Sequence, residues 1–341
     1  MTIAEIAQRA GVSKACVSRY LNHGYVSEEK KVRIRAVIEE TGYTPSRNAQ
    51  VLRTGKTGVI GVILPKINSE SIGRIAAGIS EVLTREGYRL LLANTENQVD
   101  QELAYLELFK RDQVDGVIFI ATILTPNHRE LITEMNVPVV IIGQRADYLS
   151  CVYHNDRAAA RELTRLLLAS GASCPGLLGV TRKDRAVGSE RRAGFLEACT
   201  ELGLTVPDQH METCGFTIES GYDAAKTLFE RSPEIDALFC ATDTIAIGAM
   251  QYLKGTGRNI PEEIEISGIG HSRMTEIISP RLTTAHFFYK TSGVEAATIL
   301  CQILMNGVDM KKQIMLGYEL ISQESTRSQP SKASRQHNAS G

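Results

Sequence analysis

At 341 residues the chain exceeds one ordinary domain, and two or three are expected. Its net charge of −1 hides an asymmetry: residues 1–56 hold ten Lys/Arg against five Asp/Glu, and the remainder 28 against 34. A small basic head on a mildly acidic body suits a polyanionic partner at one end only. The seven cysteines (16, 151, 174, 199, 214, 240, 301) are scattered and form no Cys-x-x-Cys, which argues against framework disulfides and a zinc site and for a reducing compartment. No signal peptide precedes the first helix and no apolar run approaches membrane-spanning length, so a soluble intracellular protein is expected.

In chain order, Thr2-Ile3-Ala4-Glu5 reads as a capping box opening a short helix whose apolar stripe is Ile3, Ile6, Ala7 and Ala10. Gly11 supplies a sharp turn and Ser13 the N-cap of a second helix. That helix is expected to bury Val17 and Leu21 and to leave Lys14, Ala15, Cys16, Ser18 and Arg19 largely outside. Two short helices joined by a glycine-containing turn, with basic and small polar residues outward on the second, make a helix-turn-helix. A third helix over Glu28–Thr41, capped at Ser27 and ended by Gly42, turns Ile34, Val37, Ile38 and Thr41 inward. Tyr43-Thr44-Pro45 breaks the pattern. Ser46 to Arg53 then offers two helical turns, too few to hold a helix alone in water, and suits a segment that folds against a surface. Its arginines suggest phosphate, and Leu52 is an apolar tip able to wedge between base pairs in a minor groove.

From Val59 short apolar strands alternate with amphipathic helices, the pattern of a parallel sheet covered on both faces. A first series runs from strand Val59–Leu64 to strand Pro138–Ile142. A second runs from helix Ala158–Ala169 through helices Ser189–Leu202 and Thr291–Met305 to a last strand near Ile314–Leu320. Two similar halves in tandem suggest two lobes with a cleft between them. The loops at Lys66–Ser71, Gly143–Ala146, Thr181–Arg191, Thr242–Thr244 and Gly270–Arg273, beyond the carboxyl ends of strands, should line it. The tail from Ser328 lacks apolar residues beyond alanine, is expected to be disordered, and holds no leucine heptads for a tetramer-forming coil.

The segments IAEIAQRAGVSKACVSRYLN, TGYTPSRNAQVLRTGKTGVIGVILP, SERRAGF and SPRLTTAHF together resemble the LacI/GalR (lactose-repressor) family of bacterial transcriptional regulators, across the chain to about Arg327; HFFYKTSGVEAA is similar to the sucrose-regulator type. The resemblance implies an N-terminal all-α helix-turn-helix domain (1–45), a hinge helix and linker (46–58), an α/β two-lobed periplasmic-binding-protein-like core with parallel sheets for effector binding and dimerisation (59–327), and a tail (328–341). It implies a cytoplasmic homodimer that represses carbohydrate-utilisation genes from double-stranded operator DNA. A small effector between the lobes, a sugar such as a disaccharide or a sugar phosphate, sets their relative orientation. No cofactor, metal or membrane partner is expected.

By the same resemblance, base reading falls on Lys14, Ala15 and Arg19, and phosphate contact on Ser13, Ser18, Asn22 and Tyr25. Arg19 suits a bidentate grip on guanine, while Ala15 offers only a methyl contact. Cys16 stands among these residues where the family often has threonine, and so lacks the hydroxyl. In the hinge, Leu52 matches the wedging leucine, Ala49 packs beside it, and Arg47 and Arg53 meet phosphates. For the effector, Arg191 matches an arginine that holds sugar hydroxyls or an acidic group, and Phe216 a ring that stacks on a pyranose. Thr242-Asp243 replaces the family's Asn-Asp. Gly270-His271 replaces a hydroxyl-binding aspartate, and Ser71 replaces an aromatic, widening the entrance. Three alternatives stand beside this reading. One is a family regulator needing a protein co-effector. Another, a sugar-binding transport component, is disfavoured by the basic head. The third, an enzyme, lacks any Gly-x-Ser-x-Gly elbow, P-loop or metal-ligand cluster.

Overall fold

The computed structural model describes residues 1–22, 24–43, 56–111, 114–308 and 310–327, in two units, Met1–Gly58 and Val59–Gly341. In the first unit, α1 (Ile3–Arg9) opens with the capping box: the Glu5 amide donates to Thr2 Oγ1 (3.3 Å) and the Thr2 amide to Glu5 Oε2 (2.8 Å). Gly11, at φ +63°, makes the turn into α2 (Lys14–Leu21), and α3 (Glu28–Thr41) ends at left-handed Gly42. Ser27 holds the N-cap position of α3 without a side-chain hydrogen bond. Ile6, Ala7, Ala10, Val17, Val26, Ile34, Val37 and Tyr43 close a small core.

The same core includes Cys16, which corrects the expectation that it faces outward. The inward stripe of α2 is wider than Val17 and Leu21 alone. Cys16 and Tyr20, one turn apart, flank it, and Leu21 is only partly buried.

The second unit carries two six-stranded sheets. One has the order β11-β5-β4-β3-β1-β2 and is wholly parallel: β1 (Val59–Leu64), β2 (Arg89–Asn94), β3 (Gly116–Ile120), β4 (Val139–Ile142), β5 (Ser150–His154) and β11 (Gln313–Leu316). Helices α4 (Glu70–Arg85), α5 (Val99–Arg111), α6 (Pro126–Thr133) and α12 (Tyr289–Asn306) belong to this lobe. The other sheet is β12-β10-β9-β8-β6-β7, built from β6 (Pro175–Gly179), β7 (Met211–Thr213), β8 (Ala237–Cys240), β9 (Glu265–Gly270), β10 (Thr283–Phe287) and β12 (Tyr318–Ile321). It is parallel except for the edge strand β12, antiparallel to β10. Its helices are α7 (Asp156–Leu168), α8 (Arg191–Glu201), α9 (Ile218–Arg231), α10 (Asp243–Gly255) and the short α11 (Met274–Ile277).

The lobes are interleaved rather than laid end to end. The chain crosses between them after β5, after β10 and at Gly317, so the single strand expected near Ile314–Leu320 is two strands in two sheets. Edge positions alternating between exposed and half-buried on both sides of Gly317 read as one continuous strand in sequence. Strand β5 was not anticipated, because Ser150-Cys151-Val152-Tyr153-His154 is neither a long apolar run nor a clean alternation. The helix expected from Ser189 begins instead as a π-helical turn (Arg185–Glu190) feeding α8.

Helix pairs in the core meet at glycines. A Cβ on Gly78 of α4 would lie 2.1 Å from the Lys290 carbonyl of α12, and one on Gly293 of α12 would lie 2.1 Å from that of Ile75. The backbones therefore touch, which fixes α12 on its lobe immediately after the chain has crossed from the other.

Candidate functional site

In the helical unit, Lys14, Ala15, Arg19, Asn22 and Tyr25 are exposed, Tyr25 at 90%, and Ser18 is half-buried. Ser13 caps α2 by accepting from the Cys16 amide (3.2 Å), so its hydroxyl already serves the helix terminus. No acidic residue lies in the first turn of α2, which leaves the positive end of its dipole open to an anion. Cys16 is only 7% exposed, so its thiol presents nothing to a ligand on that face. Arg47, Ala49, Leu52 and Arg53 lie outside the described residues, as does the tail from Ser328.

In the core, a cavity of about 510 Å³ lies between the lobes at the carboxyl ends of the strands. Lys66, Ser71, Gly143, Gln144 and His154 line it from one lobe; Asp184, Arg191, Phe216, Thr242 and Ser272 line it from the other. Ile72, Ile75, Ile120, Ile142, Val187 and Tyr289 give it apolar walls. Four expected effector residues therefore share one cavity: Ser71, Arg191, Phe216 and Thr242.

Their chemistry differs from residue to residue. Ser71 Oγ lies 3.0 Å from Ser69 Oγ. Thr242 caps α10 by accepting from the Ile245 amide. Phe216 also packs on the second lobe's core, so only part of its ring is available for stacking. Arg191 is buried: its Nε donates to Asp156 Oδ1 (2.7 Å), its Nη1 donates to the Ala241 carbonyl, and its guanidinium lies 5.2 Å from the Phe287 ring centre. Burial works against the Arg191 charge, but the Asp156 carboxylate outweighs it and the group stays cationic. The charge is balanced inside the protein, leaving its edge for a neutral polar ligand.

Two expected residues do not line this cavity. Asp243 accepts from Thr284 Oγ1 (2.6 Å) and from the Ser272 amide (2.8 Å), and burial raises its pKa. It ties α10 to β10 and to the loop after β9, and faces only a smaller adjoining hollow. His271, in the left-handed region at φ +50°, has its Nε2 3.0 Å from Glu276 Oε1 and its Nδ1 3.2 Å from His286 Nδ1.

Three further residues stand in the cavity wall: Gln144 and Asp184, on loops expected to line the cleft, and His154, which no sequence signal marked. Gln144 Nε2 donates across the cleft to Asp184 Oδ1 (2.9 Å) and to the Thr122 carbonyl (2.8 Å). Burial raises the Asp184 pKa. His154 ends β5, stacked on Phe287 with ring centres 4.5 Å apart, and burial beside Arg191 lowers its pKa to about 3. Its Nε2 is buried without a partner among the described residues, so the ring is a neutral imidazole packed in the wall. Recognising β5 would have found it, since His154 sits at a strand's carboxyl end. A second bridge spans the lobes where the Arg273 amide donates to the Glu70 carboxylate (3.0 Å).

Among the described residues no helix is long and apolar enough to cross a membrane, and no group of three or more His, Cys, Asp or Glu could hold a metal. The seven cysteines are free.

Comparison with known proteins agrees with both units. The profile described as "Bacterial regulatory proteins, lacI family" matches residues 2–46, and "Periplasmic binding proteins and sugar binding domain of LacI family" matches residues 57–324. The sucrose operon repressor of Staphylococcus xylosus is 35% identical, over 93% of this chain and 98% of its own. The ribose operon repressor of Halalkalibacterium halodurans is 30% identical, over 90% and 92%. In fold, the structure of the lac repressor dimer bound to operator and the anti-inducer ONPF is similar with a TM-score of 0.84, at 21% identity, over 96% of this chain and 99% of that one.

Proposed function

Because this chain belongs to the LacI family of bacterial regulatory proteins, we propose that it is a dimeric transcriptional repressor of carbohydrate-utilisation genes, released from operator DNA by a neutral sugar bound between its lobes. The observation that carries the effector class is the charge balance of the cavity: Arg191 is paired with Asp156, and His154 beside it is uncharged. Of the cations in the lining, Arg191 is paired with Asp156 and Lys66 is only half-buried, whereas the mixed donors and acceptors over apolar walls suit hydroxyls. About 510 Å³ suits two rings better than one, and sucrose, after the relative named above, is the first sugar to try.

The reading assigns Lys14, Ala15 and Arg19 to bases and Ser13, Ser18, Asn22 and Tyr25 to phosphates. The hinge takes the role its sequence suggests, with Leu52 as the wedge, Ala49 beside it and Arg47 and Arg53 on phosphates. The boundaries are those of the sequence: 1–45, 46–58, 59–327 and 328–341. Ser71, Arg191, Phe216 and Thr242 meet the effector, joined by Gln144 and His154. Asp243 and His271 act behind the wall, holding the loop after β9. The protein works in the cytoplasm, at the nucleoid, without a catalytic role. Effector and operator prefer different lobe orientations, and the difference in affinity sets the size of the response.

Thermal-shift screening of the full chain against neutral mono- and disaccharides and their phosphates tests the effector class. The reading expects stabilisation by a neutral disaccharide; stabilisation by phosphorylated sugars alone would overturn it.

A further inference from the structure

A second cavity, of about 220 Å³, shares Gly143, Gln144, His154 and Asp156 with the effector cavity but opens among different side chains. Three arginines line it: Arg145, just beyond β4 in the first lobe, and Arg157 and Arg185 in the second. The acidic groups in its lining are Asp156, committed to Arg191, and Glu190. Glu190 reaches Arg185 at 3.8 Å and Arg157 at 3.9 Å, both beyond hydrogen-bond distance. Arg157 also pairs with Glu197, and Arg145 approaches Asp147 at 3.3 Å. Arg185 and Glu190 sit at the two ends of the π-helical turn, an irregularity that recurs at functional sites and here aims both side chains at the cavity.

We propose that this second cavity binds a small polyanion, a phosphate ester or a polycarboxylate, held by Arg145 from one lobe and Arg157 and Arg185 from the other. Planar guanidinium groups suit oxyanions through paired hydrogen bonds, and Arg185 has its donors free of any such bond among the described residues. The volume lies below the roughly 300–1,000 Å³ of ordinary ligand pockets, which fits a compact anion and not a pair of sugar rings. A ligand held from both lobes stabilises the orientation in which the arginines converge, giving the protein a second input distinct from the sugar.

The test uses the full chain with inorganic pyrophosphate and with citrate, followed by calorimetric titration, in the wild type and in Arg145→Gln and Arg185→Gln. Both side chains are more than half exposed, so the variants should melt as the wild type does in plain buffer. Saturable binding that weakens about tenfold in each variant supports the site, as expected for losing a charge-assisted hydrogen bond. The tighter arm tells phosphate ester from polycarboxylate, and Arg185→Lys should recover part of the loss. Absence of saturable binding overturns the proposal, as does binding unchanged in both variants, which would place the anion on the basic helical unit. Neutral-sugar binding by the Arg185→Gln protein keeps this outcome separate from the fate of the effector reading.

Discussion

Gln144 Nε2 donates to Asp184 Oδ1 at 2.9 Å, a buried hydrogen bond joining the two lobes across the cavity floor. Gln144→Ala removes the donor and leaves a buried carboxylate that keeps only the Val187 amide. Losing a hydrogen bond to a buried polar group costs about 1–3 kcal/mol. The variant should melt earlier by that equivalent and bind the effector more weakly, because the lobes lose a contact of the closed cavity. An unchanged melting curve would show that this bridge does not hold the lobes.

Gly293 lies against the Ile75 carbonyl, with no room for a methyl group. Gly293→Ala should destabilise the core by about 1–3 kcal/mol, the usual result of overfilling a packed site. Gly307→Ala, at φ +68° with open space around it, should act through backbone strain alone and cost less. Denaturant melts of the two variants separate packing from strain. Equal losses would contradict the account of the α4–α12 crossing.

Cys16 and Arg19 lie one turn apart on α2, the thiol buried against the three-helix core and the guanidinium exposed. Arg19→Ala should weaken operator binding by about 1–3 kcal/mol and relax base preference at one position. Cys16→Ala should act on the helical unit's stability instead, leaving the affinity of the folded protein nearly intact. Rapid reaction of the Cys16 thiol in the native protein would place it at the surface and reverse this assignment.

His154, with a pKa near 3 against an ordinary value of 6.5, is neutral in the folded chain. Between those values the unfolded chain takes up a proton that the folded chain does not. Its contribution is therefore whole above pH 6.5 and is lost as pH falls toward 3. The slope is at most about 1.4 kcal/mol per pH unit. Buried Asp156, Asp184 and Asp243 have raised pKa values, so their contributions run the other way, being lost as pH rises through those values. His154→Phe keeps those carboxylates and removes the imidazole. Compared with the wild type between pH 5 and 7, it should show a flatter dependence of stability on pH. Parallel curves would mean that His154 titrates normally.

Much of this organisation was legible in the chain. The capping box at Thr2, the turn at Gly11 and the stripe of α3 specify the helical unit locally, and the apolar strands β1, β3 and β4 announce a buried parallel sheet. What escaped depends on contacts between distant segments. The crossing at Gly317 joins strands whose partners lie far away in sequence, and β5 is defined by pairing with β4 and β11 more than by its own residues. In the cleft, the family resemblance pointed to Arg191 and Thr242, but the partners that neutralise Arg191 or occupy Asp243 could not be read from spacing. Cys16 reads as outward when α2 is given a two-residue stripe, whereas the packing of three helices requires a wider one.

In the proposed mechanism a neutral sugar between the lobes lowers operator affinity through their relative orientation. Fluorescence anisotropy on a specific operator and on random duplex, at fixed salt and with the sugar raised from zero to saturation, measures this most directly. Specific binding should weaken as the sugar saturates the core while random binding stays level. A sugar that demonstrably fills the cavity yet leaves operator affinity unchanged, or strengthens it, would contradict the account.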